Sequence, residues 1–142
     1  MSARATLLLL ALAASLTACQ PQLVKGTHRG VLHLSVEGDS QPAALDLNYD
    51  VGAVMVGLRR EVVVRATNVG VDPMNVLGVS LGSSGNGSWF VRDVTKQLAP
   101  GASVTATVTF APVGAGAQST QVTFSHDADA ALPSLQLSGS GS

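Results

Sequence analysis

The sequence predicts an all-β protein, an antiparallel two-sheet β-sandwich that follows a cleaved export signal. Three observations predict it. From Gly30 onward, apolar residues recur with a period of two in short runs between clusters of Gly, Pro, Asn and Asp, and no stretch holds the 3.6-residue period for three turns. Val, Thr, Ser and Gly fill the second half while aromatic residues make up only 4% of the chain, a mixture that suits pleated strands and tight turns. The first 18 residues read as removable, and the remainder is enough for one domain of about 100 to 130 residues and no second core.

The amino terminus is an address. Met1 to Arg4 is short and positive, and Ala5 to Ala14 is an almost unbroken apolar run. A membrane-spanning helix needs about 20 such residues and a signal-peptide core about 7 to 15, so residues 1–18 are expected to direct export and then be lost. Leu16-Thr17-Ala18-Cys19 follows at once and contains the single Cys of the chain. This tetrad resembles the bacterial lipobox. The resemblance implies a diacylglyceryl group on the Cys19 sulfur, cleavage before Cys19 and acylation of the new amino group, which would also dispose of an odd thiol in an oxidising compartment. Two or more acyl chains anchor durably where one does not, so the bilayer is an expected partner through Cys19. Gln20, in place of the Asp that often retains such proteins at the inner membrane, favours the outer membrane within the cell envelope. Residues 19–28 hold Pro21 and Gly26 without apolar periodicity and are expected to form a tether, about 30 Å long when fully extended.

The domain is expected over residues 29–142. Leu32, Leu34 and Val36 share one face against His33, Ser35 and Glu37. Ala44 to Val56 is a less regular extended stretch. Val62, Val64 and Ala66 oppose Glu61, Val63, Arg65 and Thr67, and that strand ends at Asn68-Val69-Gly70. After a turn at Asp72-Pro73, Leu77, Val79 and Leu81 are expected to face inward, with Val76 and Ser80 outward. Val104, Ala106, Val108 and Phe110 alternate with Ser103, Thr105, Thr107 and Thr109. Thr120, Val122 and Phe124 alternate with Gln121, Thr123 and Ser125, and Leu135 and Leu137 with Ser134, Gln136 and Ser138. Strands with one buried face must close against a second sheet. With one Cys there is no disulfide to help, so apolar packing holds the sandwich.

Several of these features occur together in one known family. Asn68-Val69-Gly70 at a strand end, Pro73 soon after, Phe90 after a glycine-rich loop, Pro100-Gly101 before a strand, Phe110-Ala111-Pro112, Gly116 and the closing Leu137-Ser138-Gly139-Ser140-Gly141 stand in its order and spacing. On these residues, the stretch from about Leu45 to Gly141 resembles the ASH or Hydin-like immunoglobulin domain, kin to major sperm protein and PapD-like folds and often found in bacterial surface proteins as choice-of-anchor D. The resemblance implies an immunoglobulin-like sandwich, a buried Phe90 and a role in binding or scaffolding. Met74 departs from the family's usual Leu, and the long segment before Leu45 makes the strand within His28 to Glu37 an added edge.

No catalytic constellation is legible. The Ser residues lack nucleophile-elbow context, no base and orienting group accompany them, and Cys19 is taken by lipid. His28, His33 and His126 are scattered, so no metal and no cofactor is expected. His126-Asp127-Ala128-Asp129 reads as a polar hairpin turn in preference to a calcium loop, which wants about six oxygens. Ser83 to Ser88 precedes no helix and reads as a loop, not a phosphate cradle, and Asn86-Gly87-Ser88 carries little weight as a glycosylation acceptor in a bacterial chain. The mature chain holds seven Lys and Arg against nine Asp and Glu, and charged residues are only 12% of the whole, which argues against nucleic acid as a partner and against electrostatic docking to a membrane.

Three function classes follow, in this order: a binding or scaffolding lipoprotein with a protein partner, a carbohydrate-binding surface module, and an enzyme fragment. The carbohydrate reading rests on Trp89, expected to point outward if Phe90 is buried. The protein-binding reading rests on an uncharged outer sheet face. If residues 75–81, 118–125 and 134–138 lie side by side, Val76, Thr123, Ser134, Gln136 and Ser138 form a candidate partner face together with Ser80, Gln121 and Ser125. The strand Ser134 to Ser138 is also expected to offer an edge for strand addition.

Overall fold

A computed structural model describes residues 29–82 and 88–142. These form nine strands: β1 (Leu32–Val36), β2 (Asp46–Val54), β3 (Arg60–Asn68), β4 (Met74–Leu81), β5 (Trp89–Val91), β6 (Lys96–Leu98), β7 (Ser103–Phe110), β8 (Gly116–His126) and β9 (Ser134–Gly141). One sheet has the order β1-β3-β7-β5 and the other β2-β9-β8-β4-β6. Every pairing is antiparallel except that of β2 with β9. The exception follows from the crossover. β1 stops opposite Val64, halfway along β3, and residues 37–45 pass to the other sheet, held to β1 by reciprocal backbone bonds between Leu34 and Ala44. The chain therefore enters β2 at the end where β9 also begins. As expected, β1 is the edge of its sheet.

The core lies between the sheets and is made by the alternation read from the sequence. Leu32, Leu34 and Val36, then Val62, Val64 and Ala66, then Ala106, Val108 and Phe110 face it from one side, and Val122, Phe124, Leu135 and Leu137 from the other. Burying each large aliphatic or aromatic side chain contributes about 1.5 to 3 kcal/mol. The glycines of the last strand make room for this packing. Gly139 faces inward over Phe110, and a Cβ there would stand 2.7 Å from a ring carbon.

Two assignments on β4 are reversed, Val76 expected outward and Leu77 expected inward. Val76 is 1% exposed and belongs to the core with Met74. The cause is a β-bulge: Val76 is opposite His126 but Gly78 is opposite Ser125, so β4 takes two steps where β8 takes one. The extra residue inverts the side-chain phase. Leu77 is thrown out to solvent, while Val79 and the half-buried Leu81 face in as expected. Asp93 Oδ1 accepts the Val79 N–H at 2.8 Å, beside the bare Cα of Gly78.

Trp89 and Phe90 are exchanged relative to the expectation. Trp89 is 4% exposed and Phe90 55%. Trp89 is the lateral partner of Phe110 on β7, and lateral partners share a sheet face, so an inward Phe110 brings Trp89 in and sends Phe90 out beside Thr109. The Trp89 and Phe110 rings stack at 4.2 Å, 24° apart.

The sandwich has two poles. At the entry pole, where the described chain begins, Arg29 and Gly30 meet the β3–β4 loop, Met74 and Ala128. Asn68 organises it from a fully buried position. Its Oδ1 accepts the N–H groups of Val31 and Gly70, and its Nδ2 donates to the carbonyls of Asp72 and Leu98. Gly70 is obligatory here, because a Cβ would lie 2.2 Å from the Arg29 carbonyl oxygen. At the far pole the β2–β3 turn, the β7–β8 loop and Ser142 come together, with reciprocal bonds tying Val54 and Val56 to Ser142.

Candidate functional site

Leu16, Thr17, Ala18 and Cys19, expected to form a lipobox, the segment with His28 expected to form a tether, and residues 83–87 with the acceptor pattern at Asn86 lie outside the described residues. The sites that the structure can position are the outer sheet faces and the poles.

β9, β8 and β4 do lie side by side. On their outer surface Gln136 stands opposite Gln121, Ser138 opposite Ser119, and Ser134 opposite Thr123, which is in turn opposite Ser80. β2 extends these rows, adding Asn48 beside Gln136, Asp50 beside Ser138 and Asp46 beside Ser134. The result is a field of hydroxyl and carboxamide groups whose charges lie at its margins, Asp46 and Asp50 on β2 and Asp93 over Gly78 of β4. Leu77, displaced by the bulge, adds an exposed apolar side chain on β4. Val76 is removed from the predicted set by the same bulge. Ser134 is half-buried and its hydroxyl donates to Asp46 Oδ1 at 2.9 Å, so the freely presented members are Gln136, Ser138, Gln121 and the half-buried Thr123.

The predicted edge at Ser134 to Ser138 is not an edge. β9 runs between β2 and β8, so its backbone is paired on both sides. The periodicity of β9 could not reveal this, because β2 reaches it from 88 residues upstream. The actual edge, β2, is protected. Gln41 Nε2 donates to the Asn48 carbonyl, Arg60 donates to that of Val51, and a bulge at Gly52 with φ 87° twists the strand.

The opposite sheet differs in character. Its outer face carries Glu61, Thr109 and Phe90 in one cross-strand row, with Arg65 further along paired to Glu37. Phe90, Val91, Arg92 and Val94 border an open groove of about 640 Å³ over Thr105 and Thr107. Sequence reasoning missed this groove because it placed Phe90 inside.

The hairpin at His126 is a locked turn. Asp127 accepts both the backbone and side-chain N–H groups of Asn75, and His126 Nδ1 accepts the Ala128 N–H. Among the described residues no three His, Cys, Asp or Glu side chains gather at metal-binding distance.

No family model and no curated protein matches the sequence. Solved structures match its shape. The ASH/PapD-like domain of human CEP192 (PapD-like domain 7) superposes with a TM-score of 0.63 at 11% identity, over 85% of this chain and 92% of that one. A protein of unknown function from Porphyromonas gingivalis W83 gives 0.60 at 16% identity, over 84% of this chain and 51% of that one. Vibrio cholerae VesB protease gives 0.56 at 13%, over 75% of this chain and 31% of that one. The chain has an ASH/PapD-like immunoglobulin fold. At these identities the likeness speaks for the fold alone, and it is shared with a segment of a protease as well as with a PapD-like domain.

Proposed function

We propose that this chain is a lipid-anchored protein of the bacterial cell envelope whose sandwich acts as a non-catalytic binding or scaffolding module for a protein partner. The anchor rests on the lipobox at Leu16 to Cys19. The observation that carries the binding role is the outer face of β9 and β8, where the uncharged Gln136, Gln121, Thr123 and Ser138 stand side by side. Solvated sheet faces ordinarily carry Lys and Glu, which keep them apart from other proteins. This face carries hydrogen-bonding groups of low desolvation cost instead, beside the apolar Leu77. The sugar-binding alternative loses its motive, because Trp89 is inside the core.

Gln136→Lys and Thr123→Arg made together place two cations on outward positions without touching the core. The expected outcome is an unchanged thermal midpoint with loss of a partner recovered from native envelopes by crosslinking to the wild-type chain. Recovery of the same partner by the double variant removes this face from consideration.

A further inference from the structure

At the entry pole, three large aliphatic side chains stand in water: Val71 at 63% exposure, Val69 at 49% and Leu132 at 49%. Val69 and Val71 are held in place by backbone bonds. Val69 N–H donates to the Val31 carbonyl, Val71 N–H to that of Arg29, and Gly70 between them is fixed by Asn68. The acids of this pole are turned to protein partners. Asp72 accepts the backbone N–H and Nε–H of Arg29, Asp127 is held by Asn75, and Asp129 is engaged as well. The pole thus offers apolar groups outward while its acids Asp72, Asp127 and Asp129 are engaged within the protein, a combination that a bilayer interface accepts.

We infer that the entry pole seats on the bilayer that holds Cys19, with Val69, Val71 and Leu132 reaching into the boundary between headgroups and acyl chains. This rests on the lipoprotein reading of Cys19. Only nine residues separate Cys19 from Arg29, with a maximal reach of about 30 Å. The anchor therefore holds this pole at high local concentration over the lipid, where even weak insertion is populated. The far pole also exposes apolar residues, Met55, Leu58 and Val113 among them. It lies about 30 Å away along the nine residues of β3. Bringing it to the same membrane would require the nine connecting residues to span the length of the domain, about their full extended reach.

Val71→Cys, Leu132→Cys and, at the far pole, Leu58→Cys are introduced singly into the full-length precursor, so that each chain is exported and processed before a polarity-sensitive fluorophore is attached to the new thiol. The purified proteins are reconstituted in phosphatidylethanolamine and phosphatidylglycerol vesicles with and without doxyl-labelled lipid. Quenching several-fold greater at positions 71 and 132 than at 58 is expected. Adding Val69→Asp and Leu132→Asp to the Val71→Cys chain should abolish its quenching while leaving the acyl mass and the thermal midpoint in place. Acylated protein with equal quenching at all three positions, or with more at 58, overturns the docking and leaves the anchor standing. Persistent quenching at 71 in the charged variant shows that these side chains do not drive it. A mass spectrum with unmodified Cys19 removes anchor and docking together.

Discussion

Asn68 shows how much one buried polar residue can decide. An Asn side chain has two donor hydrogens and an acceptor oxygen with two lone pairs, and here all four are used, on four backbone groups from three separate segments. Apolar packing cannot replace this arrangement, since Val31 N–H, Gly70 N–H and the carbonyls of Asp72 and Leu98 would lose their partners. Each buried group left unsatisfied costs about 1 to 3 kcal/mol. Asn68→Ala should therefore lower stability by about 2 to 4 kcal/mol in urea unfolding. Asn75→Ala, at an exposed side chain bound to Asp127, should cost under about 1 kcal/mol. Equal losses would mean that the entry pole is held by its backbone geometry and not by the carboxamide. The sequence marks Asn68 as the end of a strand followed by Gly, yet its burial was not legible, because two of its four partners come from residues 31 and 98, which the folded sandwich alone brings to it.

At the scale of the strand, the alternation of β7 makes a direct test possible. Phe110 fills the space that Gly139 leaves and stacks on Trp89, whereas Thr107 on the same strand faces outward. Phe110→Ala should cost about 3 to 5 kcal/mol and Thr107→Ala under about 1 kcal/mol in the same unfolding assay. Similar losses at the two positions would contradict the register. Gly139→Ala pushes a methyl group into the Phe110 ring, and overpacking of this kind costs about 1 to 3 kcal/mol. Shortening the ring residue relieves the collision, so Gly139→Ala with Phe110→Leu should be less destabilising than the sum of the two single changes. A strictly additive pair would show that the strand, not the side chain, gives way. Where a strand is regular, as in β1, β3, β7, β8 and β9, its buried face was readable from period two alone. Reading failed at β4, where a bulge inverts the phase between Val76 and Val79, and at β5, whose three residues are too few to show a period. Its orientation comes from Phe110, about twenty residues downstream. The orientations on the candidate face follow the same division: Gln136, Ser138 and Thr123 lie on regular strands and point outward as the alternation predicts, while Val76 sits at the bulge and points inward.

For the molecule as a whole, the anchor and the sandwich are expected to be separable. The described domain closes on itself: Val54 and Val56 bond to Ser142 at the far pole, and the entry pole is sealed by Asn68, Gly70 and the Arg29–Asp72 pair. The core residues of the described domain run from Leu32 to Leu137 and pack on one another across the two sheets. The lipid should set where the domain resides and not whether it folds. Cys19→Ser keeps the size of the side chain but removes the sulfur on which a diacylglyceryl thioether forms. The expected outcome is a precursor left uncleaved by the lipoprotein peptidase, lacking acyl mass, with the sandwich unfolding at the wild-type midpoint when proteolysis has freed it from the leader. A wild-type Cys19 of unmodified mass would dismantle the anchoring argument. A sandwich destabilised by Cys19→Ser would show instead that the segment before Arg29 packs on the domain, and the separation of address from fold would have to be abandoned.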